Sequence, residues 1–257
     1  MKKSSRQKIL VFAAFSAIVA LGLAKFSTSD GDKDYLVYAE SIEDGNKTNF
    51  EKFKAFNGVE IEYTVLVPDS YDDSKGSPAL VSFGSMKYDK EMAQWTIDHI
   101  WGDYKKGKHI VIVPIAPKNG KNGWINHPTH HALNDLLKTV KKKYYIKDGT
   151  FKAFGYKDGS VAAQTYISMS RDYFKSLIVG SSHYWDHYDD KEFDKLRKLN
   201  VPITIICGQK DSDAFTHLEK INQALMEREA DYKIVVLEDN TIGLEDIQNG
   251  NIEKYIR

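Results

Sequence analysis

The stretch TFKAFGYKDGSVAAQTYISM, residues 150–169, decides how the chain is expected to fold. In residues 150–154 apolar side chains alternate with Thr and Lys, which predicts a strand. In residues 160–169 small and apolar side chains recur at helical spacing, which predicts a helix. The corner between them, residues 155–159, has a glycine two positions on either side of Lys157. A tight strand-to-helix turn needs such glycines, because its central residue is strained and leaves no room for neighbouring side chains.

The same alternation of elements continues on both sides of this corner. Short apolar segments predict strands at residues 60–67, 79–83, 109–115, 176–180, 201–208 and 232–237. Periodic segments predict helices at residues 91–101, from a cap at Asn126 or Thr129 to about Tyr145, and at residues 191–199, 213–228 and 244–256. Buried strands that alternate with helices predict a mainly parallel sheet covered on both faces.

The corner resembles the G-x-S-x-G-G elbow of the α/β-hydrolases, particularly the secreted esterases of the polyhydroxybutyrate-depolymerase and feruloyl-esterase type. Other short sequence segments resemble this family and follow in the order that it shows: Val67-Pro68, Pro78-Ala79-Leu80-Val81, the Trp124 loop, Tyr145-Ile146-Lys147-Asp148 and Gly208-Gln209-Lys210-Asp211. The resemblance covers about residues 60–244. It implies the α/β-hydrolase fold for residues 58–257.

The resemblance also implies which residues occupy the catalytic positions. Lys157 stands where the family has its serine nucleophile, and Ile242 stands where it has its histidine base. Asp211 matches the acid of the triad, although an aspartate after a strand also commonly caps the next turn. No histidine follows His217 in the sequence. Because covalent catalysis requires a nucleophile and a base, we expect a catalytically inactive relative of the serine esterases.

The oxyanion hole places weaker demands on sequence than the triad does. Backbone N–H groups of Gly84 or Ser85 and of Asp158 are expected to remain suitable, because this function needs no side chain. We also expect the Lys157 ammonium to pair with Asp211 or Asp158, since a buried carboxylate gains from a compensating charge.

Two further residues are candidates for the ligand crevice. His183 follows an expected strand at the sheet edge where ligands bind in such folds, and Trp185 lies in the aromatic segment beside it. An alternative is an active carboxylic-ester hydrolase with a rearranged site, in which Ser160 or Ser85 acts with His183 or His217.

Five histidines have spacings that occur among metal ligands: His127, His130, His131, His183 and His187. No glutamate accompanies them in a metalloprotease pattern, and both groups lie in polar segments. We therefore predict no metal site and no cofactor. An alternative function is that of a metal-binding module, which requires these five histidines to lie close together in space.

Composition excludes some classes of partner. The chain carries 36 Lys and Arg against 36 Asp and Glu, so it lacks the basic excess of a nucleic-acid-binding protein. Its single cysteine, Cys207, cannot form an intrachain disulfide. The expected partner is a small-molecule or protein ligand in the former active-site crevice.

The first residues have the pattern of a targeting segment. Basic residues precede an apolar run at residues 9–24, which predicts a signal peptide or an N-terminal membrane anchor within residues 1–30. Residues 31–57 are expected to form a linker and an edge element. The protein is therefore expected to be secreted or extracytoplasmic, with membrane contact only through the N-terminal segment.

Overall fold

The computed structural model describes residues 48–118, 123–182 and 190–237, together with residues 252, 255 and 256. These residues belong to a compact unit that spans Gly45–Arg257. Within them the strands are β1 (Glu51–Lys54), β2 (Glu60–Leu66), β3 (Ser77–Phe83), β4 (Ile110–Ile115), β5 (Ile146–Tyr156), β6 (Phe174–Gly180), β7 (Ile203–Gly208) and β8 (Tyr232–Leu237).

The α-helices of the described residues lie between these strands. They are α1 (Lys90–Ile100), α2 (His127–Lys143), α3 (Gly159–Met169), α4 (Asp190–Leu199), α5 (Ser212–Thr216) and α6 (Leu218–Glu227). The cap of α2 is Asn126, whose side chain accepts a hydrogen bond from the N–H of Thr129 at 2.9 Å. No helix in the described ranges has both the length and the apolar character that a bilayer crossing requires.

The eight strands form one sheet in the order β1-β2-β4-β3-β5-β6-β7-β8. β1 pairs with β2, and β2 with β4, in antiparallel orientation, whereas the remaining pairs are parallel. The predicted α/β class with a mainly parallel sheet is confirmed. In this order β3 and β5 are central neighbours, so the loops that follow them meet at the same edge of the sheet.

Two elements differ from the sequence prediction. β5 is longer than expected, because it begins at Ile146 and continues through the elbow's first glycine to Tyr156. The helix expected at residues 213–228 is divided at His217 into α5 and α6. In the last turn of α5 the Thr216 hydroxyl donates to the carbonyl of Ser212, and such side-chain bonds compete with a continuous helix. Most of the helix expected at residues 244–256 lies outside the described residues.

The core lies between the central strands and the helices that cover them. Several side chains of β3 and β5, including Phe83 and Phe154, are completely buried. Trp124 contacts Phe83 edge to face, with ring centroids 5.4 Å apart. Tyr156, the last residue of β5, is also buried and stacks on Trp95 of α1 at 5.4 Å. This packing fixes the ends of β3 and β5, from which the candidate site is built.

Candidate functional site

The elbow, residues 155–159, connects β5 to α3, and Lys157 is at its apex. Lys157 has φ of +47°, in the left-handed region that costs a non-glycine residue about 1–2 kcal/mol. Its N–H donates to the carbonyl of Gly180 at 3.0 Å, and its carbonyl accepts from the N–H of Ser160 at 3.0 Å. Strained backbone of this kind persists only where surrounding contacts hold it, and it clusters at functional sites.

Both glycines of the elbow are required by close backbone approach. A Cβ atom on Gly155 would lie 2.4 Å from the Cα atom of Ser160. A Cβ atom on Gly159 would lie 2.1 Å from the carbonyl oxygen of Phe83, at the end of β3. Each of these neighbours is backbone, which cannot rotate aside. The glycine spacing seen in the sequence therefore has a direct steric cause.

The β3–α1 loop, residues 84–89, approaches the elbow from the neighbouring strand. It leaves β3 through the buried Gly84, on which a Cβ atom would lie 3.0 Å from the Thr96 hydroxyl of α1. Two groups of this loop donate to the same oxygen of Asp158, the residue after the elbow apex. The Ser85 hydroxyl donates to Oδ2 of Asp158 at 3.0 Å, and the Met86 N–H donates to it at 3.2 Å.

This arrangement places a carboxylate against donors of the β3–α1 loop. In α/β-hydrolases the oxyanion hole consists of the N–H after the nucleophile and an N–H from this loop. Here the loop N–H of Met86 already binds the Asp158 side chain. Burial raises the pKa of the Asp158 carboxyl, whereas the hydrogen bonds from Met86 and Ser85 oppose that shift. The sequence prediction included Gly84, Ser85 and Asp158 but missed Met86.

The hydroxyls of the two candidate serines have defined partners. Ser160 is completely buried, and its hydroxyl donates to the carbonyl of Gly155 at 3.0 Å within the elbow. Ser85 donates to Asp158. Each serine proton is therefore directed to an acceptor other than histidine. His217, one of the bases considered with them, lies between α5 and α6.

Asp211 lies after β7, at the carboxyl edge of the sheet. Its side chain accepts a hydrogen bond from the N–H of Ala214 at 3.2 Å and caps α5. The pKa of the nearby Cys207 thiol is raised by burial and, to a smaller extent, by the negative charge of Asp211. The buried thiol is consequently unsuited to act as a nucleophile, since nucleophilic cysteines need a lowered pKa.

The Lys157 side chain is partly exposed, and its Nζ atom lies 5.9 Å from the ring centroid of Tyr156. Its pairing with Asp211 or Asp158 stays a prediction. Other candidate site positions, Ile242, His183 and Trp185, lie outside the described residues.

The described histidines of the proposed metal module lie in the first turn and a half of α2. His127 and His131 are exposed, whereas His130 is buried and binds the carbonyl of Trp124 through Nε2. Burial lowers the pKa of His130. Within the described ranges, no group of three or more His, Cys, Asp or Glu side chains is placed to hold a metal ion. His183 and His187 lie outside them.

No family model and no curated protein sequence matches the chain. Solved structures do match it. A thermostable esterase aligns with 16% identity and a TM-score of 0.60 over 82% of this chain, which spans 63% of that esterase's chain. A ferulic acid esterase aligns with 16% identity and a TM-score of 0.53, covering 80% of this chain and 95% of its own.

A third structure is an alpha-beta serine hydrolase homologue from Coxiella burnetii. It has 12% identity and a TM-score of 0.56, over 82% of this chain and 99% of its own. Identities this low show the fold alone. The chain therefore has the α/β-hydrolase fold, and its structure is similar to those of esterases, as the sequence resemblance implied.

Proposed function

We propose that this chain is an esterase-like protein that does not hydrolyse esters and instead binds a small-molecule or protein ligand in the region where the esterases of similar structure have their active site. The observation that carries this proposal is the Asp158 carboxylate, which binds the Ser85 hydroxyl and the Met86 N–H of the β3–α1 loop. The apex residue Lys157 supports the same conclusion. A protonated lysine has no lone pair with which to attack a carbonyl carbon.

The position of the carboxylate opposes acyl transfer in electrostatic terms. An oxyanion that formed about 4 Å from the ionised Asp158 would be repelled by roughly 4 kcal/mol at an effective dielectric constant near 20. Since about 1.4 kcal/mol changes a rate tenfold, this repulsion would slow the reaction by about a thousandfold. An oxyanion hole must instead offer hydrogen-bond donors to the developing negative charge, where this chain has a carboxylate.

The base position gives a second argument from the sequence. In the resembling esterases the histidine follows the last strand, and the last strand within the described residues is β8. Residues 238–257 contain no histidine, and Ile242 stands at the matching position. Replacing the nucleophile and the base together leaves only the residual rate that binding and an oxyanion hole provide.

Labelling with a fluorophosphonate probe tests the proposal, because this probe reacts with activated serines. We expect no labelling of the folded wild-type chain above the level of a heat-denatured sample, while an active serine esterase treated in parallel is labelled. Labelling that disappears in Ser85→Ala or Ser160→Ala would contradict the proposal. It would identify the nucleophile of a rearranged ester hydrolase.

We further propose that the protein is exported, on the basis of the basic and apolar pattern of residues 1–24. Mass spectrometry of the protein from the extracytoplasmic fraction distinguishes the two forms of export. A signal peptide predicts a new N-terminus after Ala24, and an anchor predicts an intact one. Recovery only from the cytoplasm would contradict export.

A further inference from the structure

We propose, in contrast to the expectation from sequence that the chain has no metal site, that His127 and His131 form a zinc-binding site on the exposed face of α2. The two residues are four positions apart on the helix, and both side chains are exposed. Nδ1 of His127 lies 3.3 Å from Nε2 of His131, and the ring centroids are 5.3 Å apart. Two imidazole nitrogens therefore lie close together at the protein surface.

The separation of these nitrogens fits a tetrahedral zinc ion. Zinc binds histidine nitrogen at about 2.0–2.1 Å, so two nitrogens on one tetrahedral ion lie about 3.3–3.4 Å apart. The observed 3.3 Å agrees with this value. Without metal, one ring donates a proton to the other across the gap. With metal, each neutral ring keeps one proton on its remote nitrogen, and both facing lone pairs bind the ion.

The backbone that carries the pair is held by neighbouring contacts. Asn126 caps the helix, and the side chain of Asn57 donates to the carbonyl of Pro128 at 2.7 Å. His130 lies between the two ligands in sequence but points inward, where it binds the carbonyl of Trp124. Because these contacts position the first turn of α2 in advance, little order has to be gained when the ion binds.

Two effects limit the strength of this site. The positive end of the helix dipole disfavours a cation at the first turn, which weakens binding by a few-fold at most. Two protein ligands also hold zinc less tightly than the four of a structural site. The site is therefore a surface site whose ion exchanges with solvent, with two positions open to water or to another ligand. Magnesium, which prefers oxygen ligands, is excluded by the chemistry of the pair.

Isothermal titration of the full chain with zinc chloride tests the proposal, using protein that carries no polyhistidine tag. We expect one zinc ion per chain and no heat from magnesium chloride. His127→Gln and His131→Gln should each weaken binding by at least about tenfold, since even changes outside the ligand shell cost 10- to 100-fold. The matched control His99→Gln, on α1, should leave the affinity unchanged.

A second pair of histidines, His183 and His187, has the same sequence spacing. Its contribution to zinc binding must be distinguished from that of the first pair. The double variant His183→Gln, His187→Gln should bind zinc as the wild type does. Two results would overturn the proposal: no zinc binding by the wild type, or binding that survives His127→Gln and His131→Gln but is lost in the double variant. Circular dichroism of each variant checks that the helix content of the protein is unchanged, as expected for exposed substitutions.

Discussion

The carboxylate of Asp158 accepts two hydrogen bonds from the β3–α1 loop and is partly buried. These influences act in opposite directions, and burial is the larger, so the pKa lies above its ordinary value of 3.8. The folded protein therefore binds this proton more readily than the unfolded chain. The stabilisation by Asp158 is fully present below pH 3.8 and is lost as the pH rises through the folded-state pKa.

Replacing Asp158 by asparagine tests this assignment. The amide keeps an oxygen that can accept from Ser85 and Met86, but it does not titrate. We expect Asp158→Asn to be more stable than the wild type at neutral pH, by on the order of 1 kcal/mol, with the difference shrinking as the pH falls toward 3.8. Urea unfolding at several pH values measures this, with Asp172→Asn at an exposed position as the control. A difference that instead favours the wild type at neutral pH would show that the ionised carboxylate is stabilising.

At the scale of elements, the unit of β5, elbow and α3 depends on how closely β3 approaches it. Gly159→Ala would place a methyl group 2.1 Å from the Phe83 carbonyl. We expect this change to destabilise the fold by about 3 kcal/mol or more, because α3 must move away from β3. Thermal or urea unfolding measures the loss.

Gly180→Ala is the matched control, since the nearest atom to its added Cβ is a side-chain carbon of Tyr156 at 3.3 Å. Its cost should be about 1 kcal/mol. Equal losses in the two variants would contradict the close approach of β3 to the elbow.

The elbow could be predicted from sequence because its signals are local. Two glycines, an alternating strand and a helix of small residues all lie within 20 positions, residues 150–169. The contact between Met86 and Asp158 could not be predicted in this way. It joins positions 72 residues apart, and its donor is a backbone N–H that any residue type supplies. Polar residues after two expected strands, Ser85 and Asp158, were the available signal, but only the sheet order makes those strands neighbours.

Other elements could not be predicted from local sequence, because they depend on tertiary contacts. β1 has the charged sequence EKFK and forms through its antiparallel pairing with β2. The residues of α5 and α6 give one periodic pattern, so the break at His217 was not evident from periodicity. It accompanies the side-chain bond of Thr216.

At the scale of the whole molecule, the sheet order places β3 and β5 side by side at the centre. Their carboxyl ends bring the β3–α1 loop against the elbow, as the chemistry of an α/β-hydrolase requires. The sheet order of an α/β-hydrolase is thus present, while Lys157 lies at the apex of the elbow and Asp158 binds donors of the β3–α1 loop. Because function depends on the site rather than the fold, this architecture is compatible with the proposed loss of ester hydrolysis.

The hydrolysis of p-nitrophenyl acetate tests the loss of hydrolytic activity most directly. We expect wild type and Lys157→Ser to show no saturable turnover above that of a heat-denatured sample, since we propose that the histidine base is lost as well and that Asp158 repels the oxyanion. Saturable turnover by the wild type that is abolished in Ser85→Ala or Ser160→Ala would contradict the account.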